Sequence, residues 1–151
     1  MKKIMRNLII GIGAILKIAL LLLPWIINDL CSKKAGVMHH VYYKKVQYFN
    51  GIYRDELLNI QIIVAVIIGA IFINELRKVF RYKKYFIYKF ELILGIIASL
   101  SMPIISKSEY IINKMAAPYF IMALEIFIIM QFIICMILKF KFIKPIKKSE
   151  R

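Results

Sequence analysis

Two residues of this sequence stand where charge is costly. Lys17 lies within the apolar run NLIIGIGAILKIALLLLPWIIN, and Glu125 lies within AAPYFIMALEIFIIMQFIICMIL. A lone charge at the centre of a lipid-spanning helix costs roughly 2.5–3.5 kcal/mol on insertion scales. Counted from Arg6, Lys17 is 11 residues into its run, about 16 Å at helical rise. Counted back from Lys139, Glu125 is 14 residues in, about 21 Å from the same edge. A lysine stem can cover the difference of about 5 Å. The expectation is an intramembrane ion pair between Lys17 and Glu125, made by neighbouring first and last spans. Gly13, Ala14 and Pro24 share the face of Lys17 and would let a second helix approach. Such a pair ordinarily fixes helix register. The functional alternative is a proton or ion relay, or a ligand site. In a third arrangement the two stay apart, Lys17 reaching toward the interface and Glu125 neutral.

The other chemistry-bearing residues cluster in VMHHVYYKKVQYFNGIY. His39, His40, Tyr42, Tyr43, Tyr48 and Phe49 form a candidate recognition surface in an outer loop. Asn50-Gly51 is a hairpin-turn dipeptide, so a short β-hairpin and an irregular loop both remain open for this stretch. His39 and His40 are the only histidines, and neither lies in a span. Adjacent strand residues point to opposite faces, so the two would not chelate one metal. Cys31 and Cys135 fall near opposite ends of the spans and should not pair. No phosphate-cradling loop, zinc pattern or nucleophile–base–acid set is present. Catalysis, a cofactor and a resident metal are not expected.

These residues must be positioned by helices in lipid. The chain of 151 residues is 62% hydrophobic with a mean hydropathy of +0.73, yet carries 23 Lys and Arg against 8 Asp and Glu. A water-soluble monomer of that composition lacks the polar surface to face water. The charge is segregated between four apolar stretches, at about 7–28, 57–76, 90–106 and 116–138. About 20 residues cross a hydrocarbon core of ~30 Å, and only helices satisfy their own backbone there. The third stretch is the shortest and could borrow Phe86 to Tyr88. Fifteen cations flank the spans on the side of the two termini and the loop around residues 77–89, against seven on the other side. That asymmetry predicts both termini in the cytoplasm. The basic start followed by an apolar run reads as a first span, not a cleaved leader, because Lys17 interrupts it and no A-x-A-like site follows. The fold class is an all-α membrane protein, a single domain of four transmembrane helices in an antiparallel bundle.

Within the spans, Asn59, Gln61, Ser99, Ser101 and Gln131 are candidates for interhelical hydrogen bonds, and Ala65-xxx-Gly69 and Gly95-xxx-Ser99 for close helix packing. Pro24, Pro103 and Pro118 share one depth and suggest a splayed outer half or ordinary helix-end punctuation. Cations and aromatics in RKVFRYKKYFIYK suit anionic headgroups and the interfacial belt better than nucleic acid. The first functional expectation is a non-catalytic protein of the cell membrane that binds another membrane protein or a peptide. Its architecture, though no motif, resembles that of small basic tetraspan immunity proteins and accessory subunits. The alternatives are a small oligomeric transporter or channel using Lys17 and Glu125, and a membrane enzyme acting on lipid or quinone.

Overall fold

The structure, a computed structural model, describes residues 2–80 and 86–142. It consists of α1 (Lys2–Lys33), α2 (Ala35–Asn50), α3 (Asp55–Val79), α4 (Phe86–Lys107), the single turn α5 (Glu109–Ile112) and α6 (Ala117–Phe142). Four stretches are long and apolar enough to cross a membrane: Ile10–Lys33, Asp55–Val79, Phe86–Lys107 and Ala117–Phe140. The outward faces carry bare aliphatic side chains, among them Ile15, Ile18, Ile63, Ile97 and Ile104, at 58 to 71% exposure. Large apolar surface of this kind is stable in lipid and not in water. The chain is a multi-pass helical membrane protein.

Of the four spanning helices, α6 is the most enclosed, with 50% of its spanning window buried against 17% for α1. Its sequence is apolar on every side, the pattern of a helix surrounded by others. Helices α1 and α4 both pack on it, and α3 packs on α4. The first and last spans are therefore neighbours, as the sequence suggests. Their starting and finishing ends define one end of the bundle, here the terminal end. Helix α2 and the turn α5 lie at the opposite end.

Small residues set the α3–α4 approach. A Cβ on Gly95 would fall 2.7 Å from Phe72 Cε2, and one on Gly69 would fall 3.0 Å from Ser99 Cβ. The two small-xxx-small patterns thus face each other across one interface. Phe72 and Leu92 lie in the core at 2% and 0% exposure, with Ile134 and Leu138 of α6 beside them. Pro118 stands in the first turn of α6, where its missing N–H is unneeded. Pro24 and Pro103 lie inside α1 and α4.

The residues between the first two spans are helical, and among the described residues there is no strand. The reason is legible in the doublets HH, YY and KK. A strand would split each doublet between two faces, whereas neighbours on a helix stay on one side. Val37, Val41, Lys45 and Tyr48 follow helical spacing and turn toward the bundle. Asn50-Gly51 ends α2 instead of reversing a hairpin, with Gly51 and Tyr53 both donating N–H to the Tyr48 carbonyl. The centre of the basic loop after α3 and the tail beyond Phe142, Pro145 included, lie outside the described residues.

The Gly95 contact yields a stability test. Gly95→Ala is expected to destabilise the bundle by about 1–3 kcal/mol through overpacking against Phe72. Gly11→Ala, which meets nothing within 4 Å, is expected to be neutral or slightly stabilising. Unfolding of both variants in mixed micelles, followed by circular dichroism, checks the contrast.

Candidate functional site

Lys17 does not meet Glu125. Its Nζ donates to Glu91 Oε2 at 2.6 Å, and both residues are buried, at 5% and 3% exposure. Gln131 of α6 completes the cluster. Its Nε2 donates to Glu91 Oε2 at 2.7 Å and to the Glu91 backbone carbonyl at 2.5 Å. The lysine ammonium also stands 6.0 Å from the centre of the Phe127 ring. Three helices, α1, α4 and α6, are joined through one carboxylate.

Side-chain direction explains the choice of partner. Helical Cα–Cβ bonds tilt toward the helix N-terminus. Lys17 therefore leans toward the terminal end, where α4 begins and Glu91 waits. Glu125 stands on α6, which runs the opposite way, so it leans toward α2. Similar depth of two Cα atoms on antiparallel helices does not bring their side chains together when each leans away from the other. Glu91 is absent from the sequence-level candidates although it is the second residue of the 90–106 stretch, two residues from Lys89 and the basic loop. The available signal was the shortness of the third span: α4 does begin at Phe86, which carries Glu91 inside the apolar helix.

Glu125 has a different partner. The Tyr53 hydroxyl donates to its Oε2 at 3.0 Å. Tyr53 is in the turn between α2 and α3 and is only 3% exposed. Burial, and next the neighbouring Glu125 carboxylate, raise the Tyr53 phenol well above its ordinary value, so it stays a donor at any physiological pH. Glu125 lines a cleft of about 330 Å³ with Gln61, Ile60, Val64, Ala65 and others. Gln61 Nε2 donates to the Ile52 carbonyl at 3.3 Å. Oε1 of Glu125 and Oε1 of Gln61 are buried without a hydrogen-bond partner, as is Oε1 of Gln131.

The remaining polar candidates divide. Gln131 makes an interhelical bond, whereas Ser99 and Ser101 return theirs to the carbonyls of Gly95 and Ala98 in their own helix. Asn59 is exposed. Cys31 and Cys135 are both buried free thiols. Among the described residues, no three His, Cys, Asp or Glu side chains gather in one place.

Helix α2 sorts the six outer-loop candidates into two groups. His39, His40, Tyr42 and Tyr43 are exposed, the two tyrosines at 55% and 66%. Tyr48 and Phe49 are half-buried and pack against the core. Tyr48 sits 6.1 Å from Tyr53 and 6.2 Å from Tyr119, ring centre to ring centre. These two are anchors and not part of an open surface, because they fall on the Val41 side of the helix. Lys45 fastens the same side by donating to the Ile112 and Lys114 carbonyls at 2.6 and 3.0 Å. Its burial lowers the ammonium pKa. Lys114 in turn stands over Trp25 at 4.4 Å and Tyr110 at 4.5 Å.

Among the described residues, the fold and these clusters define a small helical bundle with a buried intramembrane ion pair and a polar cleft. No family model matches the chain, and no curated protein or solved structure matches it either.

The Lys17–Glu91 pair gives a sharp expectation. Lys17→Met should destabilise by about 3–5 kcal/mol, since it strands a buried carboxylate. Glu91→Gln should cost a comparable amount. The Lys17→Met/Glu91→Gln double variant should be markedly less destabilised than the sum of the two. Combining Lys17→Met with Glu125→Gln should give simple additivity. Unfolding free energies of the wild type, the three single variants Lys17→Met, Glu91→Gln and Glu125→Gln, and the two double variants in mixed micelles decide both points.

Proposed function

We propose that this protein is a non-catalytic component of the cell membrane that acts by binding a membrane protein or peptide at its α2 end. In this reading both termini face the cytoplasm, and α2 lies on the outer side. One observation carries it. His39, Tyr42, Tyr43 and Val46 recur at helical spacing and are all exposed, on the side of α2 opposite buried Val41. Helix α2 is fastened beneath by Lys45 and Tyr48, so the stripe is held on a fixed support. Rigid aromatic side chains lose little conformational entropy on binding, and Tyr is enriched at recognition surfaces. An immunity-type or accessory role fits such a surface on a chain without a catalytic set.

Transport through Lys17 and Glu125 is less well supported, because Lys17 is engaged by Glu91 and Glu125 by Tyr53. The cation asymmetry of the sequence supports the orientation. Interfacial attraction of the flanking lysines to anionic headgroups would add roughly 1 kcal/mol for each residue near the surface.

Two measurements test the proposal. In a Cys31→Ser/Cys135→Ala background, Lys44→Cys should react with a membrane-impermeant maleimide on intact cells. Lys78→Cys should react only after permeabilisation. The opposite pattern reverses the topology. A Tyr42→Ser/Tyr43→Ser variant should lose at least about tenfold of any protein that copurifies from gently solubilised membranes, since truncated anchor residues often cost 2 kcal/mol or more each. Undiminished copurification would remove α2 as the recognition element.

A further inference from the structure

Glu125 is poorly compensated for a carboxylate in its position. It lies eight residues after Ala117, about 12 Å along α6 and below the level of lipid headgroups. Lys17, the cation that could balance it, belongs to Glu91. Tyr53 supplies one hydrogen bond, to Oε2. Oε1 has no partner, and neither has Oε1 of Gln61 on the same cleft. Both atoms are acceptors, so the group that complements them is a donor, and beside a carboxylate a cationic donor is favoured.

The cleft around them has the matching shape. Its walls are Ile60, Val64, Ile68, Met102, Ile128 and Ile129, with Ala65 leaving room between them. Met102 of α4 is 1% exposed and closes the back, whereas Ile60, Val64 and Ile129 are 49 to 56% exposed and flank an opening toward lipid. At about 330 Å³ it is at the small end of ligand-binding cavities. An apolar cleft lined by one carboxylate and one amide residue fits a ligand with an apolar body and one polar head.

We propose that this cleft binds a small lipophilic amine, whose ammonium donates to Glu125 and Gln61 and whose body packs between α3 and α6. The amine enters sideways from the bilayer, past Ile60 and Ile129. Tyr53 holds the other carboxylate oxygen, so the orientation of the carboxylate is set before the ligand arrives. This site is separate from the outer stripe of α2, and its test needs no protein partner.

The experiment is equilibrium dialysis of radiolabelled 2-phenylethylamine against the full chain in phosphatidylcholine nanodiscs, with empty discs subtracted. Saturable one-site binding is expected. Glu125→Gln should weaken it roughly tenfold or more and Gln61→Leu by roughly threefold to tenfold. The neutral isostere 2-phenylethanol should bind at least about tenfold more weakly than the amine. Ile60→Trp narrows the opening without touching the polar atoms and should also weaken binding, which decides the matter if Glu125→Gln fails to fold. Equal binding of amine and alcohol, or undiminished amine binding by Glu125→Gln or Ile60→Trp, would overturn the proposal.

Discussion

A charged lysine and a charged glutamate can remain inside a bilayer only if each neutralises the other at contact distance. Lys17 and Glu91 do this at 2.6 Å, with Gln131 donating to the same carboxylate. The desolvation of two ions is offset by their attraction only when the geometry is good and further hydrogen bonds are made. Here the extra bonds come from a third helix. The constraint therefore fixes the rotation of α1, α4 and α6 at once, as well as their relative height. Apolar packing in lipid has no comparable directional term, since lipid tails are as apolar as leucine. The small residues along α3 and α4 add a second, purely steric register, because Gly95 admits Phe72 at a distance no Cβ would allow and Gly69 admits Ser99 at one that few would.

Helix direction then divides the polar groups of α6 between two layers. Gln131 and Glu125 are six residues apart, about 9 Å along the axis. The layer nearer the terminal end pairs ion with ion and amide N–H with carboxylate, and leaves Gln131 Oε1 without a partner. The layer nearer α2 is held from outside the spans, by a tyrosine in a turn, and keeps two unpartnered acceptors. The first layer is what a structural lock requires. The second has the features of a ligand site: an apolar cleft, an opening toward lipid and an acceptor already oriented.

The four spans were legible because twenty-residue apolar runs between cation clusters admit no other fold in lipid. The adjacency of the first and last spans was expected from a Lys17–Glu125 pair that does not form; the helices meet instead where Gly13 admits Ile134. What failed was the partner of Lys17. A one-dimensional depth scale compares Cα heights but carries no information about where a side chain leans, and on antiparallel helices that lean has opposite sign. Glu91 was hidden by its position: as the second residue of the 90–106 stretch, beside a basic loop, it reads as a helix-end carboxylate, and only a helix that starts at Phe86 carries it deeper. Helix α2 was obscured for a related reason. Valine and tyrosine favour strands by composition, but the order of residues, in like doublets, favours a helix, and order is what sets which faces are buried.

The attachment of α2 links its exposed stripe to the interior of the bundle. Its last turn carries Tyr48, which packs on Tyr53 and Tyr119, and Tyr53 holds Glu125. A tyrosine at that turn can reach a carboxylate two helical turns below the start of α6 only if α2 lies down on the bundle, and Lys45 on the α5 carbonyls keeps it there. The same contacts that present His39, Tyr42 and Tyr43 outward therefore hold the hydroxyl over Glu125. The orientation of the carboxylate depends on a residue outside the spans, so α2 and the spans act as one structural unit, and weakening the Lys45 contacts would disturb the stripe and the cleft together. Binding on the stripe itself need not reach Glu125, because Tyr42 and Tyr43 face away from the aromatic cluster that does.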